Sequence, residues 1–347
     1  MTECSRGRRR RQKRVNIMGR EKFSTRFTGA FPRTEYNMTR EQFAQFLAEL
    51  KKANDNGQGI DAIIKKHENE NIYFYNDGCI KKILANENNL TLTTDLINAA
   101  LNLIGTDRIK NPKLINPFIP GEIGYRSVEP DLLLVNERGK NIPRDRISVD
   151  VQHETGSFFK DRLVLYVSRL TSNMVKRGDI PKLDNLHVIS FQFFNAFAES
   201  TNYRHKVQLQ NQEQQVYFDR QTITLIEVEK FLKNAQNFAD DNSRLAQWLR
   251  AIDTLNRGAD FSKYAQDPVF RLLQNEVKMS NFSSRYLMTE AMMVLDKDYI
   301  FYDAQDKKAR EMAKKMLLKN KPIEEIVEFT DLPESDVLAI KAEIEKQ

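Results

Sequence analysis

An alternating run of apolar and polar residues near the middle of the chain places the strictest constraint on its fold. From Ile147 to Gln152 the sequence reads Ile-Ser-Val-Asp-Val-Gln, so that apolar residues occupy the odd-numbered positions and polar residues the even-numbered ones. Because successive side chains of a β-strand point to opposite faces, this pattern predicts a half-buried strand. Asp150 and Gln152 then project from one face, while Ile147, Val149 and Val151 pack into the core.

A second strand is predicted shortly before the alternating run. Asp131 is followed by four apolar residues, bounded by Pro130 and by a polar, glycine-containing segment at 136–141. This pattern indicates a buried strand that starts near Asp131. If the two strands are neighbours, Asp131 and Asp150 can hold one hard divalent cation with Gln152 beside it, which predicts a metal-dependent phosphodiesterase site. The alternative is an ordinary polar strand face that follows a Pro-Asp turn.

These residues and the helix predicted after them resemble a known protein family. The chain resembles the recombination-promoting nuclease / putative transposase family of the PD-(D/E)xK nuclease superfamily. The similar segment is a strand, a hairpin and a strand ending in Asp-x-Gln, followed by a helix with Arg162 and Tyr166. Further segments similar to the family follow the same order along the chain, at residues 77–84, 159–166, 226–231 and 322–333. The resemblance extends from about Tyr73 to Gln347.

The resemblance implies a fold and a set of site residues. The fold is α/β, with a restriction-endonuclease-like mixed β-sheet flanked by helices and a helical C-terminal region. The implied catalytic residues are Asp131, Asp150 and Gln152, with Asp77 as an auxiliary acidic group. The implied metal ligands are Asp131, Asp150 and the Val151 carbonyl, and the cofactor is Mg²⁺ or Mn²⁺ because these ligands are all oxygens.

Two site positions differ from the usual pattern. The family usually has Glu where this chain has Asp150, which keeps the carboxylate on a side chain shorter by one methylene. The lysine position of the superfamily is filled by Gln152, as is common in this family. A neutral amide can orient the attacking water through its carbonyl oxygen, or hydrogen-bond a phosphate oxygen through its amino group. Asp77 also has a structural alternative, the N-cap of a helix.

The helix predicted after the motif carries a candidate nucleic-acid contact. Arg162, Arg169 and Lys176 recur every seven residues, beside an apolar stripe at helical spacing that includes Phe159 and Leu163. This row would lie next to the proposed metal and could contact DNA. The spacing alone leaves open the alternative, a solvated face of a helix that packs on the core.

Positive charge is concentrated at the N-terminus of the chain. Residues 1–14 contain seven basic residues against Glu3, a net charge of +6 that equals the net charge of the whole chain. The remainder is formally neutral, so DNA binding by the folded part requires a local basic patch. The arm could bind phosphates in a salt-dependent way. It could also be a solvated tail, or translated upstream sequence if synthesis begins at Met18 or Met38.

Composition and motif spacing argue against several other classes of protein. No apolar run approaches the ~20 residues of a membrane span, and none follows the Arg-rich start as in a secretory signal. Cys4 and Cys79 form no Cys-x-x-Cys metal pair and no disulfide framework, which predicts a reducing, cytoplasmic location. The four histidines lack metal-ligand spacing, and no Gly-x-Ser-x-Gly nucleophile elbow occurs.

Four regions are predicted along the chain: a basic arm at 1–38, a helical segment at 39–70, a nuclease domain at 71–235 and a helical region at 236–347. Further strands of the nuclease domain are predicted near 186–194 and around Val207, Val216 and Ile223. The last segment, 322–347, predicts a small helix-turn-helix. Its eight acidic residues against two lysines favour a packing or protein-contact role over DNA binding.

The resulting functional prediction is a Mg²⁺-dependent DNA endonuclease, linked by resemblance to recombination or mobile elements. One site cuts one strand, so double-strand cleavage requires a homodimer or sequential nicking. Two alternatives stay open. The first is a catalytically inactive member of the fold that binds nucleic acid through the basic helix and the arm. The second is an interaction protein whose acidic helical tail recruits partners.

Overall fold

The computed structural model of the chain describes residues 40–87, 89–119, 129–140, 142–153, 158–175, 178, 180 and 182–344, without the side chains of residues 77 and 294–303. The predicted basic arm at 1–38 lies outside the described residues. The described chain divides into two compact units, one formed by residues 40–43 and 67–281 and the other by 44–66 and 282–344. The domain boundaries predicted at 70/71 and 235/236 stay predictions.

Within the described residues, the first unit contains a six-stranded mixed sheet. Its strands are β1 (Lys113–Leu114), β2 (Leu132–Asn136), β3 (Asp145–Gln152), β4 (Asn185–Gln192), β5 (Arg204–Gln210) and β6 (Val216–Glu227). Their order across the sheet is β1-β2-β3-β4-β6-β5. Strand β4 pairs in parallel with β3 and β6, whereas the other pairs are antiparallel. The predicted α/β fold with a mixed sheet is confirmed.

The two motif strands have the burial that their sequence pattern predicts. Ile147, Val149 and Val151 of β3 are buried, whereas Asp150 and Gln152 on the other parity are only partly buried. Strand β2 is buried along most of its length, as expected for an apolar run between two neighbouring strands. Asp150 and Gln152 therefore project from the same face of the sheet, at the C-terminal end of β3.

Strand β6 differs from its sequence prediction. Val216 and Ile223 lie on one 12-residue strand, where two strands were predicted. The first part of β6 pairs with β5 and the later part pairs with both β5 and β4, so strand pairing holds the whole segment extended despite register shifts in β5 near Leu209. The strand ends at Glu227, and the segment similar to a family strand end continues as a helix.

Helices flank the sheet of the first unit. They are α3 (Asp77–Leu84), α4 (Thr91–Leu101), α5 (Phe159–Ser172), α6 (Val228–Lys233), α7 (Arg244–Arg257) and α8 (Pro268–Glu276). Helix α5 packs Val167 and Leu170 against Leu133 and Val188, on the sheet face that also bears Asp150. Helix α4 packs against β4, β6 and the helices α7 and α8. The apolar stripe predicted for α5 is therefore a core contact.

The second unit is helical. Its helices are the part of α1 (Arg40–Asp55) from Ala44 onward, α2 (Asp61–Lys66), α9 (Ser284–Leu318), α10 (Ile323–Thr330) and α11 (Glu334–Ile344). The end of α9 packs with α10 and α11 around a small core that contains Ala313, Ile326 and Val337. The predicted helix-turn-helix at 322–347 is thus a pair of helices that completes a three-helix cluster. Among the described residues, no helix has the length and apolarity needed to span a bilayer.

Candidate active site

The strand register brings Asp131 and Asp150 together. Leu132 of β2 pairs with Val149 of β3, so one further step along the antiparallel strands places Asp131 opposite Asp150. Directly opposed residues project from the same face of a sheet with their Cβ atoms ~5 Å apart. The backbone N–H of Val151 donates a hydrogen bond of 2.8 Å to Asp131 Oδ2, which holds this carboxylate against the end of β3.

Gln152 connects Asp150 to helix α5. Its Nε2 donates to Asp150 Oδ2, and its Oε1 accepts a hydrogen bond of 2.8 Å from Arg162 Nη2. A carboxylate only accepts and a guanidinium only donates, so these two partners determine which way the amide is oriented. Arg162, predicted as a nucleic-acid contact, therefore also belongs to the hydrogen-bond network of the site.

Lys81 brings a positive charge to the site. Its Nζ lies 3.2 Å from Asp131 Oδ1, and 42% of the Lys81 side chain is exposed against 12% for Asp131. Helix α3 holds Lys81 in place because Cys79 and Ile83 are buried and Asn76 Oδ1 caps the helix by accepting from the Gly78 and Cys79 N–H groups. Sequence reasoning included Lys81 only within a motif, since spacing gives no signal for a contact across fifty residues.

Tyr166 of helix α5 lies beside the site. Its hydroxyl lies 3.1 Å from the Ser148 hydroxyl, on the face of β3 that carries Asp150. Burial raises the pKa of Tyr166 well above its ordinary value, and the negative charges of Asp150 and Asp131 raise this pKa further, against the hydrogen bond with Ser148. Tyr166 is therefore a neutral hydroxyl close to both carboxylates.

The remaining predicted site residues have different outcomes. Asp77 begins α3, but its side chain lies outside the described residues, and the N-cap of the helix is Asn76, so the predicted N-cap alternative for Asp77 is wrong. Arg169 lies on α5 two turns after Arg162, which puts both on one side of the helix. Lys176 lies outside the described residues and beyond the end of α5 at Ser172.

A polar row extends from the motif into the neighbouring strand. Asp150 pairs with Ser190 of β4, and Gln152 pairs with Gln192. Both β4 residues are buried, and Gln192 Oε1 has no hydrogen-bond partner among the described residues. Sequence reasoning missed this row, because the polar residues of β4 change parity along the strand: Asn185 and His187 lie on one face, and Ser190 and Gln192 on the other.

The side chains of the site are compatible with a Mg²⁺ ion. Asp131 and Asp150 supply carboxylate oxygens, the hard ligands that Mg²⁺ prefers. Among the described residues no group of three or more His, Cys, Asp or Glu side chains could hold a metal, so a closed protein cage is not available there. Mg²⁺ commonly keeps several waters and binds through one or two carboxylates together with substrate phosphates. The two carboxylates of the site fit that mode of binding.

Comparison with known proteins gives one match. A family model described as PD-(D/E)XK nuclease family transposase matches residues 74–321, more than two thirds of the chain. No curated protein and no solved structure gave a match. The matched range contains α3, the motif strands and α5.

Proposed function

Because the chain belongs to the PD-(D/E)XK nuclease family transposases, we propose that it is a Mg²⁺-dependent endonuclease that hydrolyses phosphodiester bonds in DNA. The family membership predicted from the motif strands is confirmed, and with it the restriction-endonuclease-like α/β fold. Metal dependence and DNA cleavage are the proposal. The observation that carries it is the pair of carboxylates, Asp131 directly before β2 and Asp150 on the neighbouring strand β3, with Gln152 beside Asp150.

In the proposed reaction Asp131, Asp150 and the Val151 carbonyl would hold the ion. A bound Mg²⁺ would supply Lewis-acid polarisation of the phosphate and a lowered pKa for a bound water. Gln152 keeps Asp150 in place through its amino group. Its carbonyl oxygen has two lone pairs, of which Arg162 uses one, so the other can accept a hydrogen bond from the attacking water and orient it.

DNA binding is assigned to the basic side of helix α5. Arg162 and Arg169 lie on one side of the helix, and Arg162 contacts Gln152 at the end of the sheet that bears the carboxylates. Lys176 stays a predicted contact. The chain outside residues 1–14 is formally neutral, so this local patch, and the basic arm where it is present, would supply the phosphate contacts. A homodimer or sequential nicking would be needed for double-strand cleavage. A role in transposition or recombination is part of the proposal through the family alone.

A plasmid-nicking assay tests the proposal. Purified protein is incubated with supercoiled plasmid in Mg²⁺ or in EDTA, and Asp131→Asn and Asp150→Asn are compared with wild type. Asp219→Asn is the matched control, because Asp219 is an exposed carboxylate on β6, two strands away from the motif. We expect nicking that requires Mg²⁺, disappears in both site variants and persists in the control.

The same preparations separate the two alternatives. DNA binding without nicking by the wild type would indicate a catalytically inactive member of the fold. Neither binding nor nicking would favour an interaction protein that acts through its acidic helical tail. Nicking that persists in both carboxylate variants would refute the assignment of the site.

A further inference from the structure

We propose that Lys81 is the residue that contacts the scissile phosphate at this site, an inference that rests on the proposed nuclease function. At the lysine position of the motif the strand offers no cation, because Gln152 is neutral and both ends of its amide are engaged by Asp150 and Arg162. Arg146, near the start of the same strand, is paired with Asp184. The Lys81 ammonium reaches the carboxylates from α3 instead, 3.2 Å from Asp131 Oδ1.

The position of the ammonium suits contact with a substrate. The Lys81 side chain is 42% exposed, whereas Asp131 is almost buried, so the ammonium lies on the solvent side of the carboxylate. A phosphodiester that approaches Asp131 and Asp150 from solvent meets it first. An ammonium has three N–H donors, and the one ion pair that Lys81 forms among the described side chains, with Asp131 Oδ1, leaves donors for a phosphate oxygen. Charge-assisted hydrogen bonds of this kind are the stronger ones.

The charges of the site favour this role when a divalent ion is bound. Asp131 and Asp150 carry two negative charges, which Lys81 and Arg162 balance. A divalent ion held by the two carboxylates gives the site a positive excess, which attracts a phosphodiester anion and shifts the preferred partner of Lys81 from Asp131 to the phosphate.

A purely structural role explains the pair less well. Ion pairs with one partner this exposed contribute little to the stability of a fold. Helix α3 is already anchored by buried apolar residues and by its Asn76 cap. The Val151 N–H also holds Asp131 without help from Lys81.

The test combines cleavage with a binding measurement that does not depend on catalysis. Lys81→Met removes the charge at similar length, Lys81→Arg keeps the charge, and Lys206→Met is the control, because Lys206 is an exposed lysine on β5 at the opposite edge of the sheet from β1. Single-turnover cleavage is measured in saturating Mg²⁺. Affinity for a short DNA duplex is measured in Ca²⁺ at several salt concentrations, and thermal melting checks folding.

We expect Lys81→Met to lower the cleavage rate by about 100-fold, the usual effect of removing one group that stabilises transition-state charge. The plot of its log affinity against log salt should have a slope smaller in magnitude by about 0.9, as expected for the loss of one phosphate contact. Its melting temperature should be unchanged. Lys81→Arg should keep the wild-type slope because it keeps the charge.

Two results would overturn the proposal: wild-type cleavage and slope in Lys81→Met, or a cleavage loss that comes with a lower melting temperature and an unchanged slope. A wild type that binds DNA without cutting it would refute the nuclease function alone, since the slopes still decide whether Lys81 contacts a phosphate.

Discussion

The stability of the first unit should depend on pH through one buried carboxylate, Asp145. This residue begins β3 and is fully buried. It accepts hydrogen bonds from Asn136 Nδ2 at 2.8 Å, Arg138 Nε at 2.7 Å and Asn185 Nδ2 at 2.9 Å, and His187 Nε2 lies 3.5 Å away. Burial alone would raise the pKa of Asp145, but the hydrogen bonds from these partners outweigh it and lower the pKa to about 2.

The magnitude follows from the difference between the folded and unfolded pKa. The ordinary value is 3.8, so the depression to about 2 corresponds to roughly 2 kcal/mol of stability. Because the folded pKa is the lower one, this contribution is fully present above pH 4 or so and is lost as the pH falls towards 2. By pH 3 about 1 kcal/mol of it should be gone.

The assay compares wild type with Asp145→Asn by urea unfolding between pH 6 and pH 3. Trp248, the single tryptophan of the chain, is fully buried in the first unit, so its fluorescence reports on the unfolding of that unit. At pH 6 the variant should be less stable by about 3 kcal/mol, because the Arg138 guanidinium loses its charged partner inside the protein. That difference should narrow by about 1 kcal/mol at pH 3.

Asp219→Asn is again the matched control, since an exposed carboxylate should change the unfolding free energy little at either pH. A difference between wild type and Asp145→Asn that stays constant from pH 6 to pH 3 would refute the reasoning. It would mean that the carboxylate titrates alike in the folded and unfolded chain, and that the hydrogen-bond network does not favour its charged form.

Three further substitutions test other contacts of the first unit. Tyr166→Phe removes the hydroxyl that bonds to β3 and should lower the free energy of unfolding in urea by about 1 kcal/mol, and an unchanged free energy would show that the bond adds nothing. Lys230→Met leaves the fully buried Glu227 without its ion-pair partner and should cost about 3 kcal/mol or more; a smaller loss that grows on acidification would contradict this reason. Arg162→Met releases the Gln152 amide and should lower single-turnover cleavage by about tenfold or more, and a rate equal to wild type would show that the amide needs no such support.

Local sequence pattern was sufficient for the motif strands. The alternation from Ile147 to Gln152 repeats with the two-residue period of a strand, and Asp150 and Gln152 are only partly buried, as predicted. Ser148, on the same parity, is buried because helix α5 packs on that face of the sheet. The sequence brought Asp131 and Asp150 together only on the condition that the two strands are neighbours, and the antiparallel register of the structure places them opposite each other. Local pattern failed at β6, where pairing with strands on both sides held a longer segment extended than its own residues indicated.

The amino-acid sequence by itself thus determined the α/β class, the family, and the face of β3 from which Asp150 and Gln152 project, because each of these depends on periodicity or on order along the chain. Only the tertiary structure decided that Lys81 reaches Asp131, that Arg162 holds the Gln152 amide, and that Asp145 accepts hydrogen bonds from three side chains with His187 close by. These contacts join residues on different elements, and their distances depend on how helices pack against the sheet, which no local period of the sequence records.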